Sequence, residues 1–345
     1  MTEPLWLTEA DVAAMMDMGE AIDALEQGLI AEARGEAHNM VKTHATWGNG
    51  DTLHAIGATF PNAGFVGTKT WAHTEGGACP LLILFDSHNG GIKAIIEAFA
   101  LGQLRTGGIS GVATRWLARE DADELAIIGT GKQALTQVAA VAAVRRLKRV
   151  RVFSPNAEHR AGFVKKLEGE NFGFAVTEAK STEEATRDAP IVTVVTRATK
   201  PVVTGAMLAN GAHLNAVGAI VPSRVEFTQD IFPRCASIAV DSLPQVQKLS
   251  REFMDYFGAD KGWERVKPLS QVLSEGKRRP AGADLTLFKA MGMGISDLSL
   301  GLELYKRAMA RNVGRKFPMP TRAKPRLRAK IEGSEGAQTR GGKRS

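Results

Sequence analysis

The sequence predicts an α/β protein built on a doubly wound parallel sheet, and three observations carry that prediction. From Glu124 onward, short apolar runs alternate with alanine-rich or amphipathic helical stretches, the pattern that right-handed strand–helix–strand crossovers leave in a chain. The first of these runs, Leu125 to Ile128, breaks on Gly129 and passes into a helical stretch just after Gly131. Between Asn39 and Ile96 the character differs: alternating segments punctuated by Gly and Asn fit a separate sheet ahead of that unit.

Thr8 opens a stretch, Glu9 to Ala37, rich in Ala, Met, Leu and Glu at helical spacing. It predicts one or two surface helices, with Met15, Met16 and Met18 as core filler. Thr52–Ile56, Gly67–Trp71 and Leu81–Phe85 read as strands, and Phe99 to Leu117 returns to helix. Strands are then expected at 124–128, 149–153, about 174–178, 191–195, 213–217 and 237–241. Helices are expected at 132–146, 158–168 and about 182–188, the last capped by Ser181 or Thr182. Val246 to Leu273 and Asp297 to Arg311 read as helical, and no internal repeat of fixed period is present. Residues 1–118 thus form a substrate or oligomerisation domain, joined by a C-terminal helix at about 300–320, and 119–299 form the doubly wound domain.

A chain of 345 residues with 44% apolar content can supply two cores. Two cysteines, Cys79 and Cys235, match neither a disulfide framework nor a zinc or redox spacing, and read as small core residues in a reducing compartment. The first residues include Glu3, Glu9 and Asp11, unlike a signal peptide, and no run reaches the length of a membrane span. The expectation is a soluble, cytoplasmic protein. The formal charge of +7 is concentrated in 321–345, where eight Lys and Arg face only Glu332 and Glu335. Such a Gly- and Ser-containing basic tail reads as a disordered, solvated end, with a role at RNA or an anionic surface as the alternative. No nucleic acid is expected as partner of the folded part.

Gly129-Thr-Gly-Lys-Gln-Ala134 is the G-x-G-x-x-A form of the dinucleotide fingerprint, in the strand–turn–helix context it needs. Gly129 permits the turn, Gly131 admits the pyrophosphate to the backbone, and Ala134 lets helix and strand pack closely. Thr130, Lys132 and Gln133 fill the loop, whose exposed N–H groups and helix dipole suit phosphate. The predicted cofactor is NAD(P), in a Rossmann domain. Ser154 stands where a carboxylate would hold the ribose 2′-hydroxyl, with Asn156, His159 and Arg160 behind it. A hydroxyl with a nearby cation leans to NADP(H), while Arg160 as a solvated first-turn residue is the plain alternative.

Lys69 interrupts an otherwise apolar or small strand, Val66 to Trp71. Half-buried, it would lose solvation and become a usable acid or base; facing outward, it is an ordinary strand lysine. Arg105, read with Thr106 as lying just before a helix, could fork a substrate carboxylate or make a surface ion pair, and Thr106 is a candidate coenzyme contact. His44 and His54 lie between apolar residues and fit satisfied core or rim histidines.

Together with the fingerprint, Gln103 to Thr114, Gly211 to Ala219 and Leu287-Phe-Lys-Ala-Met-Gly-Met-Gly-Ile-Ser-Asp297 stand in the order of known motifs. From about residue 5 to 320 the chain resembles the ornithine cyclodeaminase/μ-crystallin family. The resemblance implies a homodimer whose N-terminal domain forms both the interface and the substrate site, with the Rossmann domain closing over it. It assigns Lys69 as the active-site lysine and Arg105 as the carboxylate-binding arginine. Lys42 stands where a second carboxylate-binding arginine is expected, keeping the charge but not the fork. Asp297 is the signature aspartate near the coenzyme, and Asn215, Val217 and Gly218 line the loop facing the nicotinamide. Two departures set the expected chemistry. Cyclodeaminases are similar in that loop but carry an aspartate where this chain has Ile220, and a glutamate for the distal amine where it has His54. The resemblance therefore implies the redox branch: hydride transfer to a C=N carbon beside a carboxylate, or 2-amino acid dehydrogenation. Arg105 and Lys42 would anchor the carboxylate, Lys69 would protonate the nitrogen, and His54 would shape side-chain selectivity. An ammonia-eliminating cyclodeaminase with bound NAD and a non-catalytic NADPH-dependent small-ligand binder are the alternatives.

Overall fold

A computed structural model of the chain describes residues 3–259 and 262–328. The first part is ordered as β1 (Leu5–Leu7), α1 (Glu9–Met15), α2 (Met18–Ala33), β2 (His38–Asn39), β3 (Thr43–Trp47), β4 (Asp51–Phe60), β5 (Phe65–Thr74), β6 (Gly77–Ala78), β7 (Leu81–Asp86), β8 (Ile92–Glu97) and α3 (Phe99–Leu117). Then follow β9 (Glu124–Ile128), α4 (Ala134–Val144), β10 (Arg149–Phe153), α5 (Ala157–Gly169), β11 (Ala175–Glu178), α6 (Thr182–Thr186), β12 (Ile191–Val194), β13 (His213–Ala216) and β14 (Cys235–Val240). The chain closes with α7 (Leu243–Leu249), α8 (Arg251–Phe257), β15 (Val266–Pro268), α9 (Leu269–Ser274), β16 (Leu285–Lys289), α10 (Gly294–Arg311) and β17 (Arg315–Lys316).

Two sheets result. One is mixed, in the order β17-β1-β8-β7-β5-β4-β2, with β3 added to β4 and β6 to β5. The other runs β11-β10-β9-β12-β13-β16-β14-β15, with every pairing parallel. Strand order reverses between β9 and β12, so the switch-point crevice lies at their carboxyl ends.

Side-chain caps open several of the helices. Thr8 and Asp17 open α1 and α2 with capping boxes, and Ser181 caps α6. Ala21, Ile22, Leu25 and Leu29 bury one face of α2, and Met15 and Met16 lie in the same core. The carboxylate of Glu9 accepts the first free N–H groups of α3, from Phe99 and Ala100. Helix α10 leaves the parallel sheet and returns to pack on α2, α3, β4 and β5. Its N-terminus is held by the Asn39 carboxamide oxygen, which accepts from Ile295 N–H at 2.9 Å, and Asn312 ends it in the left-handed region.

Several expectations are corrected. The helical reading of Val246 to Leu273 gives way to two short helices broken at Ser250, a parallel edge strand at Val266–Pro268, and α9. Glycines at 258 and 262, both at positive φ, end the helical run. Strand β16 went unread because its run contains Thr286 and Lys289; both are fully buried, as befits a strand covered on two faces. Arg105 lies inside α3, in its second turn, not ahead of a helix. Cys79 is exposed on the sheet rim, whereas Cys235 is buried as expected. Of the basic tail, 321–328 are exposed and without helix or strand, and 329–345 lie outside the described residues.

Candidate active site

The glycine-rich turn connects β9 to α4 at the switch point. Gly129 has φ +108°, and a Cβ there would stand 2.4 Å from the Val195 carbonyl oxygen at the end of β12. Only glycine allows both the turn and that approach. Gly131 is exposed, and the space a Cβ would take is open. Thr130, Lys132 and Gln133 line the loop, and buried Ala134 seats α4 against the sheet. This arrangement fits a dinucleotide pyrophosphate at the start of α4. Behind the loop, the Gln137 amide donates to the Thr106 carbonyl at 2.9 Å, which fixes α3 against α4.

Beside the glycine-rich turn in sheet order, Ser154 is buried just past β10. Asn156 serves as the N-cap of α5, accepting from His159 N–H. Arg160 reaches back: its Nη1 donates to the Ser154 carbonyl at 2.6 Å, its Nε to Glu178 at 2.7 Å, and the guanidinium lies over the Phe153 ring. It is therefore held at the tip of β10 rather than solvated.

At the far end of the crevice, three distant segments meet. Lys69 on β5 is only 4% exposed, and its ammonium donates to Asp297 Oδ1 on the first turn of α10. Arg105 Nε on α3 stands 3.3 Å from the same oxygen. Asp297 is fully buried and its Oδ2 has no hydrogen-bond partner. Lys69 is thus the buried form of the two readings, and Arg105 pairs inward. Burial lowers the Lys69 ammonium to about 8; the charges of Arg105 and Lys42 push the same way, against the support of Asp297. The ammonium also lies 5.2 Å over the Trp71 ring.

Lys42, in the segment before β3, is half-buried and its pKa is lowered by burial and by Arg105. Its position beside both Arg105 and Asp297 makes a third cation on one wall. His54 on β4 stacks on Trp71 at 4.8 Å and on His44 at 5.7 Å, its Nε2 bonded to Thr52 Oγ1 and its Nδ1 buried without a partner. Burial, then the charge of Lys42, lowers its pKa. Cationic side chains thus surround one carboxylate. The wall can hold an anionic carboxylate and offer a proton from a nitrogen acid whose pKa lies near neutrality.

Sequence reasoning missed the residues that hold this wall from behind. Asp241, beyond β14, accepts the N–H groups of Met291 and Gly292. A Cβ on Gly292 would stand 2.9 Å from Arg105 Nη1. Glu226 accepts the N–H groups of Thr196, Gly218 and Ala219. Neither acid belongs to a recognisable spacing; each is a carboxylate in an ordinary-looking loop that the fold folds inward. Val217 is buried and Gly218 half-buried beyond β13, and Ile220 is exposed.

Residues 2–312 match the family profile described as the ornithine cyclodeaminase/mu-crystallin family. The chain is 33% identical to a Delta(1)-pyrroline-2-carboxylate reductase of Bacillus cereus over 242 residues, covering 69% of this chain and 73% of the relative. It is 30% identical to the alanine dehydrogenase of Archaeoglobus fulgidus over 325 residues, covering 91% and 98%. Among solved structures, Delta(1)-pyrroline-2-carboxylate reductase of Thermococcus litoralis, in complex with NADH and L-proline, superposes with a TM-score of 0.83 at 25% identity. It covers 91% of this chain and 100% of that one.

Proposed function

The chain belongs to the ornithine cyclodeaminase/mu-crystallin family, and from that premise we propose that it is an NAD(P)-dependent oxidoreductase. It reduces a C=N bond next to a carboxylate, or runs the reverse oxidation of a 2-amino acid. The observation that carries this reading is the buried meeting of Lys69, Asp297 and Arg105, with Arg105 against Gly292 just beyond the carboxyl end of β16 in the parallel sheet. When bound, the nicotinamide supplies or takes the hydride.

The chain's own residues do the rest. Gly129 to Ala134 and Thr106 bind the pyrophosphate half of the coenzyme, and Val217, Gly218 and Asp297 border its other half. Arg105, aided by Lys42, fixes the substrate carboxylate, which places the adjoining carbon at near-attack distance. Lys69 donates a proton to the imine nitrogen, and Asp297 keeps the ammonium aimed and charged. The ring stack of His44, His54 and Trp71 borders the substrate side chain. The departures at Ile220 and His54 favour redox chemistry over ammonia-eliminating cyclisation, which needs acids at both places.

Arg160, fixed at the tip of β10 with Nη2 unengaged among the described residues, supports a lean to NADP(H). The mixed sheet with α10 serves as the substrate domain and the parallel sheet as the coenzyme domain. Exposed Met40, Val41, Trp47 and Leu53 cluster on the β3–β4 hairpin and its lead-in, which supports a homodimer through that face.

The test is oxidation of NADH and NADPH by the purified protein with cyclic imino acids, and with 2-oxo acids plus ammonia or methylamine. Ornithine with NAD is the control. Turnover with a C=N acid is expected; ammonia release from ornithine with no imine reduction would overturn the reading.

A further inference from the structure

Glu226, Glu252 and Lys289 are all fully buried. Lys289 Nζ lies 3.9 Å from Glu226 Oε2 and 3.9 Å from Glu252 Oε1. Glu252 in turn accepts from the Glu226 N–H at 2.9 Å and from Ser250 Oγ at 2.8 Å. Burying two carboxylates and an ammonium costs more than an apolar cluster of the same volume, so their hydrogen bonds need a purpose.

The Glu226 carboxylate spends its lone pairs on two loops. Oε1 accepts Thr196 N–H at 2.7 Å and Thr196 Oγ at 3.1 Å. Oε2 accepts Gly218 N–H at 2.8 Å and Ala219 N–H at 3.0 Å. These loops leave the adjacent strands β12 and β13 at their carboxyl ends. The knot is tight: a Cβ on Gly218 would fall 2.0 Å from the Thr196 carbonyl oxygen and 2.6 Å from Glu226 Oε1. Val195, next to Thr196, is the residue whose carbonyl closes on Gly129.

Sheet order says which part of a dinucleotide these loops border. The glycine turn follows β9, and the Ser154–Arg160 group follows β10 on one side of it. Arg105 packs on Gly292, which follows β16 on the other side. A coenzyme spanning from β10 over β9 to the Lys69–Arg105 site must cross the ends of β12 and β13.

We propose that Glu226, charge-compensated by Lys289, is a positioning residue that fixes the Thr196 and Gly218–Ala219 backbones as the wall for the nicotinamide half of the coenzyme. The inference rests on the coenzyme reading above. Charged acceptors hold N–H groups more firmly than neutral ones, and one carboxylate here ties two loops that share no other side-chain acceptor among the described residues. An amide in its place would present an NH2 group to one pair of donors and release that loop.

The experiment compares Glu226→Gln with the unaltered protein in binding NADH and ADP-ribose, which lacks the nicotinamide, by calorimetric titration. The expected result is at least a tenfold loss of NADH affinity with ADP-ribose affinity unchanged within twofold. Equal weakening of both, or no change in either, overturns the proposal. If Glu226→Gln does not fold, Gly218→Ala and Glu226→Asp are read by the same ratio; collapse of all three, which makes the cluster a fold determinant only, also overturns it. An unaltered protein that binds neither ligand refutes the coenzyme reading instead.

Discussion

With its ammonium lowered to about 8, Lys69 makes the pH dependence of turnover a direct test of its role. A fall from 10.5 to about 8 corresponds to about 3 kcal/mol between charged and neutral forms, supplied chiefly by burial at 4% exposure. In the reductive direction the ammonium is the competent form. With a pKa near 8, about nine-tenths of Lys69 is charged one pH unit below and about one-tenth one unit above. The kcat/KM for imine reduction should therefore be level near pH 7 and fall about tenfold per unit above 8. In the oxidative direction the neutral amine is the base, so kcat/KM should rise tenfold per unit up to about 8 and then level. Stopped-flow or steady-state coenzyme absorbance at 340 nm from pH 6 to 10 reads both limbs. Lys69→Met should lose roughly 10²–10⁴-fold in rate, the usual worth of a positioned general acid, and should retain coenzyme binding. Lys69→Arg, charged throughout that range, should abolish the limb whatever activity survives. A limb that persists at the same midpoint in either variant refutes Lys69 as the proton donor, as does a flat profile.

Arg105→Lys keeps the charge but loses the planar fork. KM for the acid should rise roughly 10- to 100-fold, as expected for a hydrogen bond to a charged group worth about 1.5–3 kcal/mol, with kcat falling less; steady-state kinetics at saturating coenzyme checks it. Gly129→Ala combines strain at φ +108° with a Cβ 2.4 Å from the Val195 carbonyl oxygen. It should lower Tm by roughly 2–8 °C and abolish NADH fluorescence enhancement, since strain of about 1–3 kcal/mol falls on the glycine-rich loop. Arg160→Ala should weaken NADPH at least tenfold and NADH less than threefold in parallel titrations, and equal effects on both would remove the 2′-phosphate contact.

What the sequence made legible was local. The turn at Gly129, the parallel strands that follow it and the helix starts at Thr8 and Ser181 each depend on a few consecutive residues. Lys69 and Arg105 could be singled out, but whether each faced inward depended on Asp297, which is 228 positions from Lys69 in the chain. No pattern within a strand or helix reports a partner at that distance. Strand β16 was hidden because Lys289 reads as a solvated charge, and its burial follows only from Glu226 and Glu252 folding over it. Arg160 was ambiguous for the same reason: its inward turn is set by Glu178, at the end of the next strand. Motif order across the chain supplied the rest, because it samples several distant segments at once.

The charge balance of the site leads to one more consequence. Lys42, Lys69 and Arg105 converge on a single fully buried partner, Asp297. Burial and the charges of Arg105 and Lys42 depress Lys69, which is left poised near pH 8 rather than fully charged. A substrate carboxylate on Arg105 and Lys42 adds the missing negative charge close to the Lys69 ammonium. At an effective dielectric constant of about 20, a unit charge some 5–8 Å away contributes roughly 2–3 kcal/mol before screening, so a rise of about one pKa unit or more is expected. Binding and protonation are then reciprocal: the anion that needs the acid also charges it. The descending limb of kcat, which reports the complex, should accordingly lie at least one unit higher in pH than the limb of kcat/KM, which reports the free enzyme. Coincident limbs would mean that the carboxylate binds too far from Lys69 to act on it, and Arg105 would then lose its place as the substrate anchor.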